Sequence, residues 1–254
     1  MKAHERVTAA IRAANDAGRT GLVPFVTAGY PEPKDFISTL KAVAAVGDVV
    51  EVGIPFSDPM ADGMTIQRSS FEALQKGVSL AWIFDELENA GGFDAPLVMM
   101  SYLNPLLAFG YERLADRALE TGVCGFIVPD LPFEESEEIR TVLESRGLGL
   151  IQLVTPATPG ARLETLCGAS RGFVYAVTIT GITGGDVGLP DDLADYLDKV
   201  SAVADIPVCA GFGIRQASDV AAVGAHAAGA IVGSALVEVL ERGEDPAAFL
   251  NSLR

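Results

Sequence analysis

Eight short apolar runs, each followed by an amphipathic stretch, constrain this chain more than any other feature. They are Leu22–Thr27, Val49–Ile54, Leu97–Tyr102, Gly125–Pro129, Leu148–Val154, Phe173–Thr178, Pro207–Ala210 and Gly229–Val232. The runs are mostly non-alternating, as strands covered on both faces are. Between them, apolar residues recur at helical spacing. Leu114, Ala115, Ala118 and Leu119 share one face, as do Ile139, Val142 and Leu143, and again Leu193, Tyr196, Leu197 and Val200. Eight strand–helix units in 254 residues predict an α/β fold, a single (β/α)8 TIM barrel occupying 1–254 as one domain. His4–Ala17 reads as an extra N-terminal helix and Ser79–Asn89 as a second helix within the second unit. The competing architecture is a doubly wound sheet. It asks for a glycine-rich dinucleotide turn early in the chain, and Thr27-Ala28-Gly29-Tyr30-Pro31 is not one.

Composition narrows the function. The formal net charge is −16, which argues against nucleic acid and anionic membrane as partners because neither finds a basic face. A small phosphorylated substrate remains compatible, since backbone N–H groups hold phosphate without Lys or Arg. No apolar run approaches the ~20 residues of a membrane span. The first residues, Met1 to Arg6, lack the apolar core of a secretory signal. Cys124, Cys167 and Cys209 have neither metal spacing nor an even count. They read as reduced packing residues of a cytoplasmic protein.

The chemistry concentrates in Glu51-Val-Gly-Ile-Pro-Phe-Ser-Asp-Pro-Met-Ala-Asp62-Gly63. A carboxylate inside a barrel strand is costly unless it is paired or used. Glu51 near the end of the second strand, with Asp62 in the following loop, suits proton transfer at the catalytic face of a barrel. The bland alternatives are a core carboxylate held by backbone donors for Glu51 and an ordinary turn residue for Asp62. Glycine-rich turns follow strands six, seven and eight: Gly181-Ile-Thr-Gly184-Gly185, Gly211-Phe212-Gly213 and Gly233-Ser234. Gly184, Phe212, Gly213, Gly233 and Ser234 therefore form a candidate phosphate site, with Gly233-Ser234 opening a helix. The five lysines, Lys2, Lys34, Lys41, Lys76 and Lys199, fall on predicted helices, termini or loops, which removes a Schiff-base mechanism. The two histidines, His4 and His226, form no metal cluster with carboxylates, so no metal is expected.

The same motif resembles the signature of the tryptophan synthase alpha subunit family. Pro24-Phe25-Val26-Thr27-Ala28-Gly29, Tyr102-Leu-Asn104-Pro105, Pro129-Asp130-Leu-Pro132-Phe-Glu134-Glu135, Tyr175, Gly181-Ile-Thr-Gly184 and Gly211-Phe-Gly213-Ile214 extend the likeness over nearly the whole chain. The resemblance implies retro-aldol cleavage of indole-3-glycerol phosphate to indole and glyceraldehyde 3-phosphate without a cofactor. It implies Glu51, Asp62 and Tyr175 as catalytic residues: Glu51 moving protons, Asp62 accepting the indole N–H, Tyr175 positioning. It implies an indole pocket of Leu22, Met100, Tyr102, Ile127, Leu153 and Thr183, residues that could equally be plain core. It also implies a pyridoxal-phosphate-dependent β subunit as partner in an αββα assembly, met by Asp58, Asn104, Pro105, Asp130, Pro132, Glu134 and Glu135. Met64, Ile179, Thr155 and Ala157 depart from the family's usual pattern; Ile179 stands in a loop where polar or basic residues often occur. A non-catalytic barrel that binds a phosphorylated ligand and activates a partner is the alternative, as is another phosphosugar-handling barrel.

Overall fold

The computed structural model describes residues 1–178, 191–211 and 213–254. Its strands are β1 (Gly21–Thr27), β2 (Val50–Gly53), β3 (Leu97–Met100), β4 (Val123–Ile127), β5 (Gly149–Ile151), β6 (Leu153–Val154), β7 (Val174–Val177), β8 (Val208–Gly211) and β9 (Gly229–Val232). All pair in parallel, in the order β5-β4-β3-β2-β1-β9-β8-β7-β6. The two ends of that order are separated along the chain by Gln152 alone. They are halves of one interrupted strand, so the sheet closes on itself as an eight-stranded barrel. Around the break, the Gln152 N–H donates to Ser170 Oγ at 2.9 Å and its carbonyl accepts the Tyr175 N–H at 3.0 Å. Closure leaves no free edge and excludes the doubly wound sheet.

The helices are α1 (Ala3–Asp16), α2 (Phe36–Ala44), α3 (Met64–Gln75), α4 (Leu80–Ala90), α5 (Leu103–Phe109), α6 (Tyr111–Glu120), α7 (Glu137–Ser145), α8 (Gly160–Ala169), α9 (Asp191–Val203), α10 (Ala217–Gly224), α11 (Ser234–Glu241) and α12 (Pro246–Ser252). The two helices expected outside the simple repeat, His4–Ala17 and Ser79–Asn89, are α1 and α4. Ser79 caps α4 by accepting the Trp82 N–H at 3.2 Å, and Gly91 ends it at φ 76°.

The period of two along each strand divides the core. In β2 and its flanks, Val50, Val52 and Ile54 face outward and pack with Phe36, Leu40 and Phe84 of the helical layer. Val49 faces inward with Val23, Val98, Ile151, Phe173, Cys209 and Ile231. Glu51 has the inward parity. Helix α1 plugs the N-terminal mouth of the barrel: Val7 and Ile11 join that inner cluster, and Thr8 Oγ1 donates to the Gly172 carbonyl at 2.7 Å. One mouth is closed by apolar packing, which leaves the C-terminal mouth for chemistry. Among the described residues no helix is long and apolar enough to cross a membrane.

Candidate functional site

Strand parity turns Glu51 into the barrel, where its side chain is 1% exposed. Among the described residues, its two carboxyl oxygens are the only fully buried side-chain N or O atoms without a hydrogen-bond partner. Such a group persists against its desolvation cost where it remains protonated or where a ligand completes it. Burial pushes Glu51 up to about 8, with the Asp62 carboxylate pushing the same way. Asp62 reaches the same cavity from the loop between β2 and α3. Burial raises it too, but the Tyr102 hydroxyl donates to its Oδ2 at 3.0 Å and opposes the rise. Two neighbouring carboxyls therefore differ in kind: one unpartnered and protonated at neutral pH, the other half-buried and hydrogen-bonded.

Glu51 and Asp62 border a cavity of about 290 Å³ together with Phe25, Ile66, Met100, Tyr175 and Ile231. Tyr175 projects inward from β7. Its hydroxyl lies 3.3 Å from where a Cβ on Gly211 would stand, so glycine there makes room for it. Burial, then Glu51 and Asp62, hold that phenol well above its ordinary range, and it keeps its proton. At the far end the cavity is bordered by Gly213, Gly233, Ser234 and Ala235. Ser234 and Ala235 open α11, whose first N–H groups have no partner within the helix. This end accepts an anion through backbone donors. A larger hollow of about 500 Å³ lies at the opposite end of β8, beside Asn15, Arg19 and His226. Among the described residues, no buried side-chain N or O atom there lacks a hydrogen-bond partner.

The structure brings Glu51, Asp62, Tyr175, Met100, Gly213, Gly233 and Ser234 to one cavity. Thr183, Gly184, Ile179 and Phe212 lie outside the described residues. Tyr102 stands one step back. Its hydroxyl bridges Asp62 and the Ala61 N–H, at 3.0 and 2.8 Å, and its ring stacks on Phe56 at 5.0 Å. Ile127 and Leu153 belong to the inner cluster without bordering this cavity. Leu22 is a correction. It packs in the outer cluster against the helices, and its N–H donates to Asp48 Oδ2 at 2.8 Å near the start of β1. Both its parity and its height are wrong for the pocket. Phe25, three residues on, has the inward parity and borders the cavity beside Glu51, its register partner. Counting the alternation Val23, Phe25, Thr27 would have found it. Ile66, Ile231 and Arg215 also border the cavity and were not anticipated.

Asp58, Asn104, Pro105, Asp130, Pro132, Glu134 and Glu135 occupy segments that leave the C-terminal ends of β2, β3 and β4. Asp130 Oδ1 accepts the Leu103 N–H at 2.9 Å, which ties the segment after β4 to the start of α5. Glu134 pairs with Arg162 of α8, which holds its carboxyl well below the usual range. Met64 is exposed at the start of α3, and the Thr155 N–H donates to Thr158 Oγ1 at 2.9 Å.

The family model described as tryptophan synthase alpha chain matches residues 11–252. A tryptophan synthase alpha chain of Nitratidesulfovibrio vulgaris is 42% identical over 249 residues, 97% of each chain. One of Xanthomonas campestris pv. campestris is 41% identical over 100% of this chain and 97% of its own. Among solved structures, tryptophan synthase of Mycobacterium tuberculosis superposes with a TM-score of 0.89 at 34% identity, covering 98% of this chain and 96% of that one. The alpha subunit from Legionella pneumophila gives 0.88 at 31% identity, with 100% and 97% covered.

Proposed function

The chain belongs to the tryptophan synthase alpha chain family, and on that premise we propose that Glu51 and Asp62 carry the family's reaction. That reaction is the cofactor-independent cleavage of indole-3-glycerol phosphate to indole and glyceraldehyde 3-phosphate, in tryptophan biosynthesis. The bond between indole C3 and the glycerol side chain breaks when C3 gains a proton and the adjacent hydroxyl loses one. Glu51, protonated at neutral pH because burial lifts it to about 8, supplies the proton to C3. The carboxylate it becomes accepts the hydroxyl proton as the aldehyde forms. Asp62 accepts a hydrogen bond from the indole N–H while positive charge develops on the ring, an interaction strengthened by the low dielectric. Tyr175 orients the side chain undergoing cleavage. Phe25 and Met100 flank the ring, Tyr102 backs Asp62, Ile127 and Leu153 support the pocket from the inner cluster, and Thr183 completes it. Gly184, Phe212, Gly213, Gly233 and Ser234 take the phosphate.

Glu51 carries the reading: an unpartnered, buried carboxyl at the inner end of a cavity whose outer end is a helix N-terminus. A regulatory barrel without chemistry has no use for it. Residues 1–254 work as one barrel domain in the cytoplasm. The pyridoxal-phosphate-dependent β subunit docks on the segments after β2, β3 and β4 in an αββα assembly. The test is indole release from indole-3-glycerol phosphate, with and without a cognate β subunit. Glu51→Gln lowers kcat by at least ~10²-fold; near-normal turnover in that variant overturns the assignment.

A further inference from the structure

Arg215 is the only basic residue among the described residues bordering the cavity, which also contains the acids Glu51 and Asp62. The segment 179–190 and residue 212 contain no Lys or Arg, so no other cation is supplied from there. A phosphate dianion entering this cavity meets the Asp62 carboxyl on a chain of net charge −16. Backbone N–H groups orient it, but a full positive charge offsets the repulsion far better.

The placement of Arg215 suits that task. It follows Gly213 by two residues, and its own N–H donates to Asp219 Oδ2 at 2.8 Å, which pins the backbone. Its guanidinium grips Glu238 with both ends, Nη1 to Oε2 at 2.8 Å and Nη2 to Oε1 at 3.0 Å. Glu238 lies on α11 four residues after Ser234, on the same helical face as the residue that opens the anion end. The guanidinium is thus held along the helix whose N-terminus borders the cavity. Only two of its five N–H groups are engaged by Glu238, and its side chain is 55% exposed.

We propose that Arg215 is the phosphate-recognising cation of this chain, held ready by Glu238 and shared with the phosphate when substrate binds. The proposal rests on the reading of the cavity as an indole-3-glycerol phosphate site.

The competing role, a purely structural tie between α11 and its neighbouring loop, predicts that removing either partner has the same effect. Steady-state indole release and inhibition by glycerol 3-phosphate separate the two, with indole as a phosphate-free ligand. Arg215→Gln is expected to raise KM and the glycerol 3-phosphate Ki together by about tenfold or more. Its kcat stays within about threefold and its indole affinity is unchanged. Arg215→Lys recovers part of the loss. Glu238→Gln releases the guanidinium and lowers the Ki. A wild-type KM in Arg215→Gln, or an equal rise in Ki in both Gln variants, overturns this role alone. No indole release by the folded parent enzyme, alone or with its β subunit, overturns the reaction and the role together.

Discussion

In the proposed reaction, Glu51 ties stability to function at a single residue. Its carboxyl titrates near 4.5 in the unfolded chain and at about 8 when folded. Between those values the unfolded chain releases a proton that the folded protein keeps. Stability is therefore fully present below pH 4.5, falls as pH rises through the window, and levels off above 8. At pH 7 the loss is on the order of 3 kcal/mol. Glu51→Gln removes the ionisation, so it should be more stable than the parent at pH 8 and no more stable at pH 4. Urea titrations at both values measure this, and a gap independent of pH would show that the carboxyl titrates normally. The same ionisation should appear in catalysis. The kcat/KM profile loses activity on its alkaline side with a midpoint near the value of about 8 for the coupled acid pair.

Strand β1 and strand β2 must fit side by side around Phe25. A Cβ at Gly53 would stand 2.3 Å from Phe25 Cζ and 2.5 Å from Cε2, far inside van der Waals contact. Glycine at this strand position is a packing requirement, since it opens the space in which the Phe25 ring lies beside the acid pair. Gly53→Ala is expected to cost about 1–3 kcal/mol of stability and to raise KM as the ring is displaced. Thermal melting and steady-state kinetics check both halves; an unchanged melting temperature would mean the ring moves aside freely. The alternation that identifies Phe25 also explains the error at Leu22. Both residues are buried and apolar, and burial alone does not separate the two faces of a barrel strand.

At the scale of the whole molecule, the segments after β2, β3 and β4 are held together across the catalytic mouth. Tyr102 binds Asp62 and Ala61, and the next residue, Leu103, is bound by Asp130. The surface assigned to the β subunit is thus joined to one of the two acids by a short run of hydrogen bonds. Asp130→Ala leaves the Leu103 N–H without its acceptor and should cost about 1 kcal/mol. Stimulation of indole release by the β subunit should fall several-fold in this variant while the rate of the isolated chain changes little. Equal stimulation in parent and variant would show that the Asp130 contact serves folding only.

Much of this was legible along the chain because it is local. Eight apolar runs in strict alternation with helical periodicity specify a barrel, and an acid embedded in one run, followed by another in its loop, marks the candidate site. The helix N-terminus at Ser234 was readable from the glycine before it. Other decisions are not local. The pleat determines which buried residue faces the lumen, and a slip of one position reverses it. Register and closure determine what meets across the cavity. So Phe25 borders the pocket and Leu22 does not, Gln152 breaks the fifth barrel strand, and Arg215 of the cavity lining pairs with a carboxylate on a later helix. Sequence carries the chemical groups and their periodicity, whereas the distance between groups remote in the chain exists only once the sheet has closed.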